Sequence, residues 1–144
     1  MIKNIIFDFG AVLVDWDRHY LYDDYFKTQE ARELFERNTG RKGLTYLEMS
    51  NWAAATFDKY VGPNFPVFQL LEGMVVSGHE FCIKPDEKIY RLLLDRYNLK
   101  PEESVFVDDS IPNLEGAARL GIHTYHFTNA ATFKADLDKI INND

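Results

Sequence analysis

Two short apolar runs in this chain end abruptly in carboxylates. In "IIFDFG" Asp8 sits between Ile5–Phe7 and a second apolar stretch, and "SVFVDDS" runs from Ser104 into Asp108 and Asp109. Short runs of Ile, Val and Phe bounded by turn residues are the pattern of strands buried on both faces of a parallel sheet. A charged carboxylate between hydrophobic segments is costly unless something binds it. In open α/β sheets ligands bind beyond the carboxyl ends of the strands. Both acidic sites therefore belong at one sheet edge, holding a shared ligand.

The rest of the chain supplies the alternation that such a sheet needs. Strands are expected at Ile2–Phe7, Leu44–Met49, Gly73–Gly78, Ser104–Val107 and Ile122–Phe127. Between them the reading places a helix over Tyr20–Arg37, a turn at Asn38–Gly43, and a helix over Asn51–Tyr60 with Ser50 or Asn51 near its start. A further helix starts with Pro85 in its first turn and buries Ile89, Leu92, Leu93 and Tyr97. The next is capped by Ser110, with Pro112 early and Gly121 as its stop, and Phe133–Ile141 forms the last. Strands alternating with helices predict an α/β domain with a mostly parallel sheet, over residues 1–144 as one unit. Glu48 is out of place inside the second strand, so that strand is expected to be shorter, or Glu48 near the sheet surface.

Charge and cysteine content narrow the partners. The formal net charge of -7 makes nucleic acid or an anionic membrane an unlikely non-specific partner. The N-terminal segment reads as neither a signal peptide nor a membrane span. The single cysteine, Cys82, excludes an intramolecular disulfide and a cysteine zinc site, fits a reducing cytoplasmic setting, and is expected to be an inert buried thiol. The histidines lack metal-ligand spacing; His79, His123 and His126 are expected at the surface or at strand ends. Trp16 and Trp52 are expected to pack in the core or a site wall.

Three carboxylates meeting at one point repel each other unless a cation neutralises them. Oxygen ligands without a nearby His or Cys suit Mg²⁺, which keeps waters and binds carboxylates together with a substrate phosphate. Ser50 after the second strand and Lys84 before a helix would suit a phosphoryl group beside that ion. The bland alternatives are an N-cap for Ser50 and a surface lysine for Lys84. Response-regulator receiver domains combine similar residues, but with the acidic pair on the first strand and the lysine on the last. The order here is reversed.

The motifs "FDFG", "SN", "KPD" and "VDDS", in that order at strand ends, resemble the haloacid dehalogenase superfamily, and "FDFGAVLVDWD" resembles its phosphatase-like branch. The resemblance runs from about residue 2 to 127. It implies a three-layer Rossmann-like core with five strands in the order 3-2-1-4-5. It further implies Mg²⁺-dependent phosphomonoester hydrolysis, with Asp8 as the nucleophile that forms an aspartyl-phosphate. Ser50 and the Asn51 backbone would hold the phosphoryl oxygens, and Lys84 would steady Asp8 and the phosphate charge. Asp8, the Gly10 carbonyl, Asp108 and Asp109 would bind the metal, with Asp109 as the main acidic ligand. Asn113 stands where relatives often have Asp, as a further contact or simply as helix surface. The substrate would be a small phosphorylated metabolite or a larger phosphorylated one, and an oligomer is possible.

Two departures matter. Gly10 stands where most phosphatases of the superfamily carry a second Asp as general acid and base; Asp15 or Asp17 could substitute. The stretch from Asp15 to Ser50 is too short for a helical cap, so the cap is expected to be absent or reduced to an insert at about residues 18–43. The alternatives are a catalytically impaired binding or interaction module, and a metal-independent haloacid dehalogenase.

Overall fold

A computed structural model describes residues 1–13, 44–64, 68 and 71–142. Five parallel strands form one sheet: β1 (Asn4–Phe7), β2 (Thr45–Ser50), β3 (Gly73–Val76), β4 (Ser104–Asp108) and β5 (His123–His126). Their order is β3-β2-β1-β4-β5, as the resemblance implied. Phe7 aligns with Glu48 on one side and Val107 on the other, so β1, β2 and β4 end at one edge. The helices are α1 (Ala54–Thr56), which runs into a π turn (Phe57–Val61), α2 (Ser77–Glu80), α3 (Glu87–Arg96), α4 (Ile111–Ala118) and α5 (Ala130–Asn142).

Side-chain alternation along the strands sorts the layers. Ile5, Phe7, Val105 and Val107 point to one face, where Phe133, Leu137 and Ile141 of α5 and Phe57 of the π turn cover them. Ile6, Leu47, Met49, Val75 and Phe106 point to the other, against Ile89 and Leu93 of α3 and Leu114 and Ala117 of α4. Burying each such side chain is worth about 1.5–3 kcal/mol. Both faces of the central strands are therefore anchored, and the loops at their carboxyl ends start from fixed points. Among the described residues no helix is long and apolar enough to cross a membrane.

Several expected boundaries move, each for a local reason. The helix expected to open at Pro85 begins at Glu87, because the Lys84 backbone is held in both directions by Asn51 and Asp86 N–H turns back to Ile83 O. Ser50 caps no helix: it is the last residue of β2, in register with Val76, and Ala53 takes the N-cap position of α1. The third strand stops at Val76 and Ser77–Glu80 is helical. The last helix is longer than expected, over Ala130–Asn142. The helix at Tyr20–Arg37, the turn at Asn38–Gly43, the insert at 18–43 and residues Asp15, Trp16 and Asp17 lie outside the described residues.

Glu48 is the largest correction. The strand is not shorter and Glu48 is not near the surface: it is fully buried in β2, between Phe7 of β1 and Met74 of β3. Burial pushes its pKa up to about 8; the Ser50 hydroxyl and Lys84 oppose that rise and Asp8 adds to it. Glu48 is thus neutral in the folded protein at pH 7, while in the unfolded chain it ionises near its ordinary 4.5. The folded state keeps a proton that the unfolded chain releases, so stability declines as pH rises from 4.5 to about 8. Glu48→Gln, a neutral isostere, is expected to come within about 1 kcal/mol of the wild type at pH 5 and to exceed it by about 4 kcal/mol at pH 8. Urea melts at the two pH values check this; parallel wild-type and mutant curves would refute it.

Candidate active site

The loops beyond β1, β2 and β4, with the segment before α3, bring Asp8, Asn51, Lys84, Asp108, Asp109 and Asn113 together. Asp8 directly follows β1, and its amide donates to Val107 O at 2.9 Å. The chain then turns tightly: Ala11 has φ of 62° and Leu13 N–H returns to Phe9 O at 3.1 Å. Asp108 closes β4 with no exposure, and Asp109 beside it is exposed.

Lys84 is the hub, and it is no surface lysine, being 3% exposed. Its Nζ donates to Asp8 Oδ1 at 2.6 Å, to Asp108 Oδ2 at 2.9 Å and to Met49 O at 2.9 Å. An ammonium has three protons, and here all three are engaged. The Phe106 ring centroid lies 5.2 Å from the same nitrogen. A buried charge is tolerated only when paired and hydrogen-bonded, and Lys84 meets that condition by joining two carboxylates.

The backbone of Lys84 is fixed as well. Asn51 Nδ2 donates to Lys84 O at 2.9 Å, and Lys84 N–H donates to Asn51 Oδ1 at 2.8 Å. The following loop is braced by Ser77, whose Oγ accepts from Trp52 N–H at 2.8 Å. Gly78 N–H donates to Trp52 O at 2.8 Å, and a Cβ at Gly78 would fall 2.2 Å from Ala54 N, so only glycine permits this approach. Trp52 packs edge-on against Phe9 with centroids 5.9 Å apart, forming a site wall as expected.

Burial raises the Asp8 carboxyl to about 6; Lys84 pulls it down and the like charge of Asp108 pushes it up. Asp8, Asp108 and Asp109 each offer an oxygen within 4.8 Å of the others. This all-oxygen donor set fits a hard divalent cation such as Mg²⁺. Asp108 is already well occupied: Oδ1 accepts from Ser110 N–H at 2.7 Å, and Oδ2 from Lys84 and from Asn113 Nδ2 at 3.1 Å. Asn113 is therefore more than helix surface; it orients Asp108. The Asp109 carboxylate has no protein partner among the described residues, which leaves it the freer of the pair. Among the described residues, a Cβ built at Gly10 would meet only Asp8 Oδ2, at 4.0 Å. Ser50 is 1% exposed, and its Oγ has no protein hydrogen-bond partner among the described residues.

Three contributors were missed from sequence. The resemblance gives Asn51 a role through its backbone, yet its side chain locks Lys84. Ser77 carried no signal, since its bond crosses from α2 to the loop after β2. Phe106 read as core and is core, with Lys84 above it. The histidines and Cys82 lie as expected: His79 and His126 are exposed, His123 is half-buried, and Cys82 is a buried free thiol.

Comparison with known proteins agrees with this geometry. A family model for haloacid dehalogenase-like hydrolases matches residues 13–121. Mouse acyl-CoA dehydrogenase family member 10 is 40% identical over 68 residues, which is 47% of this chain and only 6% of that protein's length. D-ribitol-5-phosphate phosphatase of Bacteroides thetaiotaomicron is 23% identical over 205 positions, covering 99% of this chain and 100% of that protein. A HAD family enzyme of Bacteroides thetaiotaomicron, solved in complex with magnesium and inorganic phosphate, superposes with a TM-score of 0.68 at 20% identity, over 89% of this chain and 95% of that one. With its sheet order, its lysine-bridged carboxylates and its matched span in agreement, the chain belongs to the haloacid dehalogenase-like hydrolase family.

Proposed function

We propose that this chain is a Mg²⁺-dependent phosphomonoesterase that works through an aspartyl-phosphate on Asp8. The observation that carries this reading is Lys84 joining Asp8 and Asp108, with Asp109 alongside. A haloacid dehalogenase needs no metal, and a cluster of three carboxylates is poorly suited to it. The phosphatase relative and the magnesium and phosphate complex of a neighbour support the same direction.

Asp8, Asp109, Asp108 and the Gly10 carbonyl would hold the ion. When bound, Mg²⁺ supplies positive charge against the phosphoryl oxygens. Asp8 attacks phosphorus, forming its O–P bond as the bond to the leaving oxygen breaks. Water then cleaves the acyl-phosphate, releasing phosphate and restoring Asp8. Lys84 offsets the charge of Asp8 and Asp108 and keeps Asp8 aimed. Ser50, together with the Asn51 backbone, holds phosphoryl oxygens. The substrate is a small phosphorylated metabolite. The end-to-end alignment of the ribitol phosphatase over 205 positions, against 144 residues here, supports a shortened insertion in place of a cap.

The test is hydrolysis of p-nitrophenyl phosphate. Turnover should vanish in EDTA and return with added Mg²⁺; turnover indifferent to EDTA would overturn the metal-dependent mechanism. Gly10 favours one second reading, a phosphate-binding module without catalysis. Tight phosphate binding by wild type with no turnover of this activated ester would select it.

A further inference from the structure

We infer that Glu48 is a positioning residue for phosphate: its neutral carboxyl donates to Ser50 Oγ and so directs the Ser50 proton toward the bound phosphoryl group. This inference rests on the reading of Ser50 as a phosphate-holding hydroxyl.

Geometry carries it. Glu48 and Ser50 are two residues apart on β2, and side chains at that spacing share a face. Glu48 has no exposure and Ser50 is 1% exposed. Neither Glu48 oxygen nor Ser50 Oγ has a protein hydrogen-bond partner among the described residues. Ser50 is close enough to favour the ionised carboxylate, although no formed hydrogen bond joins the two. A native interior rarely leaves three polar atoms unmatched on neighbouring residues of one strand. Hydrogen bonds at a site are often loose before the substrate binds.

Hydrogen-bond polarity then decides the role. A hydroxyl has one proton to give and lone pairs to receive. To hold a phosphoryl oxygen, Ser50 must give its proton outward, so its lone pair must be met from inside. The protonated Glu48 carboxyl can do that. An ionised Glu48 would instead take the Ser50 proton inward and set a negative charge behind the phosphate site. The state expected of a carboxyl buried at the centre of a sheet is the neutral one. Both jobs are met by any neutral donor of the same length.

The experiment is calorimetric binding of inorganic phosphate, with Mg²⁺ present, to wild type and variants, so that it does not depend on turnover. Glu48→Gln presents an amide donor and should bind phosphate within about threefold of wild type. Glu48→Leu and Glu48→Met remove the donor and should weaken binding about tenfold. If turnover is present, KM should rise by the same factor with kcat little changed. In a Ser50→Ala background, Glu48→Met should cause no further loss. A Leu or Met variant that binds like wild type would overturn the inference, as would a Gln variant as weak as Met. If Ser50→Ala alone leaves binding unchanged, or wild type binds no phosphate, the underlying reading fails, and this shows in arms that leave Glu48 intact.

Discussion

Asp8→Asn is expected to lower hydrolysis of p-nitrophenyl phosphate by on the order of 10⁴-fold or more, with the fold retained. The amide keeps the shape of the carboxyl, but it is neither a nucleophile toward phosphorus nor an anionic metal ligand. The structural cost is small. Asp8 is held against its own preference, because burial and the like charge of Asp108 disfavour its ionised form, and Lys84, helped by the Phe9 N–H, only partly offsets them. After the substitution Lys84 keeps its bonds to Asp108 and Met49 O, so no buried charge is left unpaired. A thermal melt should therefore stay within a few degrees of wild type, while phosphate release falls to background. A folded Asp8→Asn protein with undiminished hydrolysis would remove Asp8 from the mechanism.

The legible parts of this molecule are those written in short-range patterns. The central strands β1 and β4 announced themselves as brief apolar runs between turn residues, because a strand buried on both faces has no room for polar alternation. The carboxylates at their ends stood out for the same reason: Asp8 and Asp108 are where apolar runs stop. The strand order came from family resemblance, since nothing local encodes which strand lies beside which. Lys84 was legible as a candidate, and the resemblance implied its pairing with Asp8, but the full set of its three acceptors was not legible. They come from positions 8, 49 and 108, and one of them is a backbone carbonyl that looks the same for every residue. Ser77 was hidden for that reason too. Glu48 misled because a carboxylate is ordinarily a surface group. Only the register, with Phe7 and Met74 on either side, shows that it has no way out.

Gly10→Asp is expected to raise hydrolysis of a simple alkyl phosphate by roughly 10²–10⁴-fold, with little effect on p-nitrophenyl phosphate. An alkoxide is a poor leaving group and needs a proton as its bond to phosphorus breaks. Nitrophenolate departs without one. Among the described residues there is room for the missing acid: a Cβ at position 10 meets nothing closer than Asp8 Oδ2 at 4.0 Å. Nor does the backbone demand glycine, because the left-handed residue of this turn is Ala11, with φ of 62°. The new carboxyl would stand beside Asp8, and a like charge there raises its pKa, which is what a general acid working near neutral pH needs. Comparing kcat/KM for the two esters in wild type and variant isolates proton donation from binding, since both substrates present the same phosphoryl group to Ser50 and Lys84. Gains of equal size on both esters would show that position 10 acts through metal or phosphate binding. No gain on the alkyl ester would mean that leaving-group protonation is already met from elsewhere in the chain.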